Sequence, residues 1–505
     1  MILDPSRHAF RVAPVDELGL LVDADDYFRA FYRAASRAEN TILLSGWQFD
    51  SGVALLRGAE AEQAGAPVTL LKFLNELCRR KPTLRIWILA WDFSMVFAAE
   101  REWMQNVVFE WSSHENLQFR FDSNHVERGC HHQKFVVIDG ELSFLGGLDL
   151  CEDRWDTRQH KAENPLRVSR DEPHKPFHDI QLYLRGQQVA KALTDLFLGR
   201  WDRAGGEPIA LPPLDAPAPR VGVDGLLPLP ASEVALSRTD PYGTPGGPKL
   251  CEEIRVLHED AIAAAERSIY IETQYFSAQS IYEALEKRLR EPRGALEIVL
   301  VLNMRGETLK EQAAVGLAQA QNIARLRKVA SETAHQLGIY YTLPSCETPE
   351  TQERATYIHS KLMIVDDRFL TVGSANLTNR SMAVDTELNA SIESESAETA
   401  LGLAIRKVRA NLLAEHTGGP EVTTVQGLVA QLDALTQDKR EPPCRLRRHP
   451  SPTISERAAL ALVDPQQLPF DPSQVEDFDE EAKTDFTSAL KRTVRELFAN
   501  RRDKG

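Results

Sequence analysis

The sequence predicts an α/β protein assembled from two related halves, and three observations predict it. Apolar, strand-like runs alternate with amphipathic helical stretches, the signature of βα units and a largely parallel sheet. One chemically loaded strand occurs twice. The landmarks flanking its two copies keep almost the same register.

The first copy runs His132-Gln133-Lys134, Phe135-Val136-Val137-Ile138, Asp139 and then Gly146-Gly147. The second runs His359-Ser360-Lys361, Leu362-Met363-Ile364-Val365, Asp366 and then Gly373-Ser374-Ala375-Asn376. Residues i and i+2 of a strand share a face, so each His and Lys project together while the apolar run beyond is buried. A lone His before an apolar strand is usually structural; two copies at identical internal spacing point to chemistry.

In chain order, Ala24-Asp25-Asp26 opens an amphipathic helix reaching about Arg37, and Thr41 to Asp50 reads as a buried strand ending in polar residues. Val68 to Lys81 is a second helix, Leu84 to Trp91 a second strand and Leu117 to Phe121 a third. In the later half, Ser268 to Phe276 echoes the strand around Gln48, and Leu296 to Val301 echoes the one at Leu84. This long-period duplication is unlike the short repeats of solenoids. Glu307 to Gln336 is an Ala-rich helical insertion, suited equally to a lid or to packing. The expected layout is a first lobe over residues 1–203, a Pro/Gly/Ala-rich linker over 204–232, a second lobe over 233–418 and a tail over 419–505. The tail carries an acidic run from Glu476 to Glu481. It closes on a helix with Phe486, Leu490, Val494, Leu497 and Phe498 on one face and Lys491, Arg492 and Arg495 toward the other, a stripe suited to packing or to anionic lipid.

Composition bounds the function. The length of 505 residues fits roughly two to four domains. A net charge of −15 gives no basic field to draw in nucleic acid. The six cysteines are scattered without a CxxC pair, so neither a disulfide framework nor a zinc ribbon is indicated. No basic-then-apolar leader opens the sequence and no apolar run approaches about 20 residues, so a cytoplasmic protein without a transmembrane segment is expected.

Two histidines and two lysines from matching halves suit a phosphodiester. Lysines and amide donors cradle its oxygens, one neutral imidazole attacks phosphorus, and the other, protonated, releases the leaving alcohol. The imidazoles must begin in opposite protonation states. Such a site needs no metal, and no acidic cluster that would hold one is visible along the sequence. Cys130-His131-His132 with His125 nearby is a weak metal candidate, because neighbours on a strand face opposite ways.

The doubled His-x-Lys-x4-Asp-x6-Gly-Gly/Ser string resembles the phospholipase D superfamily, specifically its two-copy members of bacterial type, over residues 24–416. Further stretches share the resemblance: Gly147-Leu148-Asp149-Leu150, Arg154-Trp155-Asp156, Pro176-Phe177-His178-Asp179, Ile271-Glu272-Thr273-Gln274-Tyr275-Phe276 and Asp385-Thr386-Glu387-Leu388. It implies two α/β/α sandwich lobes related by a pseudo-twofold, one active site at their junction, no cofactor, and a monomer sufficient to build the site. It also implies roles. His132 is the nucleophile, His359 the general acid and then base, and Lys134 and Lys361 bind phosphate oxygens. Asp179 and Glu387 orient the histidines, with Asp179 expected on His132. Asn376, Ser374, Gly147, Asp149 and Gln274 are the expected substrate-binding residues, the glycines by letting phosphate approach the backbone. Asp149 departs from the matching Asn376, and a carboxylate there repels phosphate unless a lysine compensates it. Asp139 and Asp366 are expected to anchor structure.

The implied reaction is hydrolysis or head-group exchange of a glycerophospholipid at a membrane surface, with the protein peripheral. Cardiolipin-synthase-like phosphatidyl transfer belongs to the same chemistry, but the membrane helices usual in that branch are missing. A nucleic-acid phosphodiesterase is the second class, opposed by the acidic balance and by the lack of a basic stripe with interleaved aromatics. An inactive head-group-binding scaffold is the third, opposed by two complete His-x-Lys pairs.

Overall fold

The computed structural model describes residues 1–92, 108–109, 112–126, 129–212, 222–243, 250–305, 315–344, 355–437 and 444–450, together with Asp471. Two mixed sheets dominate it. The first has the strand order Leu227–Pro228, Glu17–Val22, Ile180–Arg185, Leu142–Gly146, Phe135–Ile138, Thr41–Gly46, Arg85–Trp91 and Leu117–Asp122. From Glu233–Asp240 the second repeats that order: Glu387–Glu393, Phe369–Gly373, Leu362–Val365, Ser268–Thr273, Glu297–Leu302 and Gln336–Thr342. Matching strands therefore occupy matching places, as a duplication requires.

The largely parallel sheets expected from the alternation are corrected. In each sheet the three strands starting at Thr41 or at Ser268 run parallel, but the strands from the His-x-Lys run back to the acid-bearing strand are antiparallel. The cause is local. Ile138 and Leu142, like Val365 and Phe369, are separated by three residues, which can join only antiparallel neighbours.

Those tight turns explain the repeated aspartates. Asp139 and Asp366 adopt left-handed backbone (φ 48° and 55°). The Asp139 carboxylate accepts from the backbone N–H of Glu39, Asn40 and Thr41, each at 2.8 Å. Asp366 does the same for Glu266, Arg267 and Ser268 at 2.7–2.8 Å. Each aspartate clamps the start of the neighbouring central strand and so sets the register in which its own His-x-Lys strand lies.

The inner faces of both sheets share one apolar core with the helices Gln187–Arg203 and Ala400–Thr417. Val137, Leu145 and Leu182 enter it from one lobe, Ile364, Val372 and Leu388 from the other, with Phe197 and Leu412 from the helices. The outer faces are covered separately, by Asp23–Arg37 and Leu70–Arg80 on the first sheet and by Glu253–Ala264, Gln279–Arg290 and Leu317–Ser331 on the second. Truncating a residue such as Ile364 to Ala in this shared core costs about 2–5 kcal/mol. The described part of the Ala-rich insertion, Leu317–Ser331, packs through Ile323, Leu326 and Val329 rather than standing off as a lid.

The lobes also exchange edges. Arg11–Pro14 pairs antiparallel with Glu233–Asp240 of the second sheet, while Leu227–Pro228 returns to pair with Glu17–Val22 of the first. Of residues 419–505, the helix Leu428–Gln437 packs on the second lobe, and the strand Leu446–Arg448 extends its sheet beside Gln336–Thr342. The acidic run and the closing amphipathic helix lie outside the described residues. Among the described residues no helix is long and apolar enough to cross a membrane.

Candidate active site at the lobe junction

The strand preceding each paired His does not stop at its own sheet. Tyr357–Ile358 pairs in parallel with Phe177–His178 of the first lobe, and His131 bridges in parallel to Thr386 of the second. The backbone N–H of His359 donates to His178 O at 2.8 Å, and that of His132 donates to Thr386 O at 2.9 Å. Each histidine is thereby held beside the acid-bearing segment of the opposite lobe.

The side chains follow the backbone. His359 Nδ1 lies 2.6 Å from Asp179 Oδ2, and His132 Nδ1 lies 2.9 Å from Glu387 Oε2. The expected pairing of Asp179 with His132 is corrected: both acids act across the junction. In-lobe assignment failed because acid and histidine strands of one lobe are near neighbours in a sheet, whereas the facing ends meet only after the lobes dock. Both acids are fully buried and both imidazoles nearly so, with 14% of the His132 and 8% of the His359 side chain exposed.

The lysines repeat one another. Lys134 Nζ donates to His132 O at 3.2 Å, and Lys361 Nζ donates to His359 O. Lys134 also pairs with Asp149 at 3.2 Å, whose Oδ1 accepts from Trp47 N at 2.9 Å. The carboxylate at the position matching Asn376 is therefore compensated by a lysine. Lys361 reaches Gln274 Oε1 at 3.3 Å, and Gln274 Nε2 donates to the Tyr357 hydroxyl at 2.7 Å. Asn376 Oδ1 is buried without a hydrogen-bond partner at the end of its strand turn. Ser374 is engaged by protein, donating to Glu387 Oε2 and accepting from Leu388 N at 3.0 Å.

Protein groups crowd the glycines of both copies. A Cβ at Gly147 would collide with the Asp179 carboxylate, and one at Gly373 with Leu388 O and Asn389. Gly147 makes room for the acid that holds His359.

Burial governs the electrostatics. It drives both His132 and His359 well below the ordinary imidazole range, and Lys134 and Lys361 add to the effect on each. Burial raises Asp179 to about 6 and, helped by Asp385, raises Glu387 to about 8. Lys361 is lowered to about 7, again chiefly by burial, against the pull of Asp179. The expected opposite protonation of the two imidazoles is thus not built into the protein alone. Both lysines lie against the carbonyl of their own histidine, so the two amines flank the two rings.

Sequence reasoning left other parts of the site without roles. Arg154 lies over the Phe177 ring at 5.2 Å and depresses His359 further. Tyr357 stacks at 6.3 Å from His359, and Phe177 lies 5.2 Å from it on a ring-to-ring measure. Tyr357 sits two residues before His359, and i, i+2 spacing was the signal available. At the Cys130-His131-His132 trio, His131 turns away to Thr386 Oγ1 at 3.0 Å and to Asp122 at 3.1 Å, and burial with Arg200 lowers it to about 4.

This fold and site define a class: duplicated α/β proteins with one cluster of His, Lys and acid side chains shared between two lobes. A family model described as "Cardiolipin synthase, PLD-like domain" matches residues 259–404. The chain is 25% identical over 482 residues to phospholipase D alpha 1 of Zea mays, covering 71% of this chain and 59% of that protein. It is 26% identical over 420 residues to phospholipase D A of Dictyostelium discoideum, covering 72% of this chain and 32% of that protein. The chain thus spans less than two thirds of the length of either relative. The crystal structure of phosphatidylserine synthase from Haemophilus influenzae Rd KW20 shares the fold, with a TM-score of 0.53 at 14% identity over 85% of this chain and 92% of that one. By these matches residues 259–404 carry a PLD-like domain, and the chain as a whole is similar in sequence to phospholipases D.

Proposed function

We propose that the chain is a phosphodiesterase and phosphatidyltransferase that cleaves the head-group phosphodiester of glycerophospholipids through a phosphohistidine. The observation that carries this reading is the crossed arrangement: two His–acid pairs, one from each lobe, with a lysine beside each ring. Asp179 and Glu387 accept from Nδ1, which leaves each Nε2 for chemistry. His132 Nε2 attacks phosphorus. The N–P bond forms as the P–O bond to the head group breaks, and His359 gives the leaving oxygen its proton. His359, now neutral, takes a proton from water or an alcohol, whose oxygen displaces His132. The products are phosphatidic acid or a new phosphatidyl ester. Lys134, Lys361 and Asn376 hold the phosphate oxygens whose charge grows during transfer, and the enzyme works as a peripheral protein on the bilayer.

The match to a model described for cardiolipin synthase supports testing phosphatidyl transfer alongside hydrolysis. Mixed phospholipid vesicles are incubated with ethanol, and separately with added phosphatidylglycerol, using wild type, His132→Ala and His359→Ala. Phosphatidylethanol formed by wild type alone establishes a lipid substrate and transfer to an alcohol, and acid-labile label retained on wild type but not on His132→Ala establishes the phosphohistidine. Cardiolipin from the second mixture identifies the acceptor. No lipid product, with bis(p-nitrophenyl) phosphate still cleaved in a manner needing both histidines, moves the substrate to another phosphodiester class.

A further inference from the structure

Behind the His359 pair lies a second polar cluster that the reaction does not use. Asp179 faces His359, so its neighbour His178 faces the other way, into the protein. There Asp23, His160, His178 and Glu415 converge, all buried, each offering one ligand atom within 4.8 Å of the others. They come from four separate places: the first residue of Asp23–Arg37, a loop, the acid-bearing segment of the first lobe, and Ala400–Thr417 of the second.

The donor and acceptor count is the informative feature. His178 Nε2 lies 2.9 Å from Glu272 Oε2, and His160 Nδ1 lies 2.8 Å from Asp156 Oδ2. Ionised carboxylates only accept, so those outward nitrogens carry hydrogens whatever charge the ring bears. The inward nitrogens face two more carboxylates, an arrangement that either a second ring hydrogen or a shared cation can satisfy. His178 Nδ1 is 2.8 Å from Glu415 Oε1 and 3.1 Å from Asp23 Oδ1, and His160 Nε2 is 3.0 Å from Glu415 Oε1 and 3.4 Å from Asp23 Oδ2. Despite these separations, His178 Nδ1 and Asp23 Oδ2 form no hydrogen bond of acceptable alignment. The ring nitrogen aims between the carboxylates, as a ligand aims at an ion.

Beside His131, by contrast, the carboxylate of Asp122 is met by a cation of the chain itself, the Arg200 guanidinium at 3.0 Å. In the His178 cluster the nearby guanidiniums sit one layer out, Arg158 on the far oxygen of Glu415 at 2.7 Å and Arg167 on Asp156 at 3.1 Å.

We propose that Asp23, His160, His178 and Glu415 bind one divalent transition-metal ion of the zinc class, as a closed structural site with two nitrogen and two oxygen ligands. Four-coordination at about 2.0–2.2 Å places ligand atoms roughly 3.4 Å apart, close to the spacing here. Imidazole with carboxylate selects zinc-class ions over calcium or magnesium. Glu272 and Asp156 are the outer carboxylates that fix ring orientation and tautomer. The ion pins His178, one residue before Asp179. Asp23 strengthens that link, because its N–H donates to Asp179 O at 2.8 Å and its Oδ1 accepts from Asp179 N at 3.2 Å. The metal therefore ties both lobes together behind the reaction without touching substrate.

The test uses full-length, tag-free protein purified without chelator. Elemental analysis is expected to find about one zinc-class ion per chain, and cobalt(II) exchange to give the intense visible bands of a four-coordinate ion. Both signals should be lost in His160→Gln and sharply weakened in Asp23→Asn, which keeps an acceptor for Asp179 N–H. A strong chelator should lower the melting temperature of wild type, and zinc should restore it. Wild type that carries no metal, takes up no cobalt and melts unchanged with chelator overturns the proposal and leaves two imidazoliums holding the cluster. If the variants do not fold, wild-type stoichiometry and the cobalt spectrum still decide. Neither readout depends on lipid turnover, so this proposal and the enzymatic one fail separately.

Discussion

His359 Nδ1 and Asp179 Oδ2 lie 2.6 Å apart although 180 positions separate them in the chain. Phe177–His178, just ahead of the aspartate, runs parallel to Tyr357–Ile358, just ahead of the histidine, so the pair is fixed by backbone pairing across the junction. His132 and Glu387 repeat the relationship with the lobes reversed.

If the acids hold their partners' Nδ1–H, replacing each carboxyl by an amide of the same shape should cost turnover and little stability. Asp179→Asn and Glu387→Gln are each expected to lower kcat by about 10²–10⁴-fold with the far-UV circular dichroism unchanged. Near-normal kcat for either variant takes that acid out of the mechanism.

Gly147 is expected to tolerate no side chain, because its Cβ would enter the space of the Asp179 carboxylate. Gly147→Ala should displace Asp179 and cut kcat at least tenfold, while a second-sphere rescue, Gly147→Ala with Asp179→Gly, restores packing but not rate. A Gly147→Ala enzyme with wild-type kcat would return this position to the substrate-contact role first expected of it.

The anion site should be proton-linked. In the protein alone burial lowers Lys361 to about 7, so above that pH the side chain is neutral, and a bound oxyanion must bring a proton back to it. Affinity is thus highest below about 7 and lost as pH rises; tungstate inhibition of bis(p-nitrophenyl) phosphate cleavage should weaken by up to about tenfold per unit above that point. Lys361→Met should bind more weakly and flatten the profile. A wild-type inhibition constant that stays level up to about pH 9 would show that Lys361 keeps its charge unaided.

Asp366 is expected to matter for stability alone. Its carboxylate satisfies three backbone N–H groups at the head of the Ser268–Thr273 strand. Asp366→Ala should cost about 3–5 kcal/mol, read as a lower urea midpoint. Below the unfolding range KM should hold. A loss of kcat without a shift in midpoint would move this residue from scaffold to site.

Much of this was legible in the primary structure. The i, i+2 spacing of His132 with Lys134 and of His359 with Lys361, repeated at constant offset, picked out side chains that the fold brings together, and apolar periodicity placed the starts of the central strands within one residue, although it carried the Thr41 and Ser268 strands too far at their ends. The roles of Asp139 and Asp366 were also within reach, because an aspartate closing a buried strand has backbone N–H groups to satisfy. What was hidden is what two distant segments do when they meet. The crossing of acids between lobes, the antiparallel return from each His-x-Lys strand, and the joining of Leu446–Arg448 to the second sheet depend on docking, which periodicity along one segment does not encode. The cluster around His178 is hidden for the same reason: its ligands are scattered from Asp23 to Glu415, so no local spacing announces it.

The exchanged edges have a consequence for the order in which the molecule comes into being. Arg11–Pro14 leaves the ribosome early but has no partner until Glu233–Asp240 is made, and His132 has none until Glu387 follows. A nascent first lobe therefore carries a histidine without its acid and an acid without its histidine. Chemistry is withheld until nearly the whole duplicated region has been translated, and a chain broken between the halves yields fragments that are each catalytically mute.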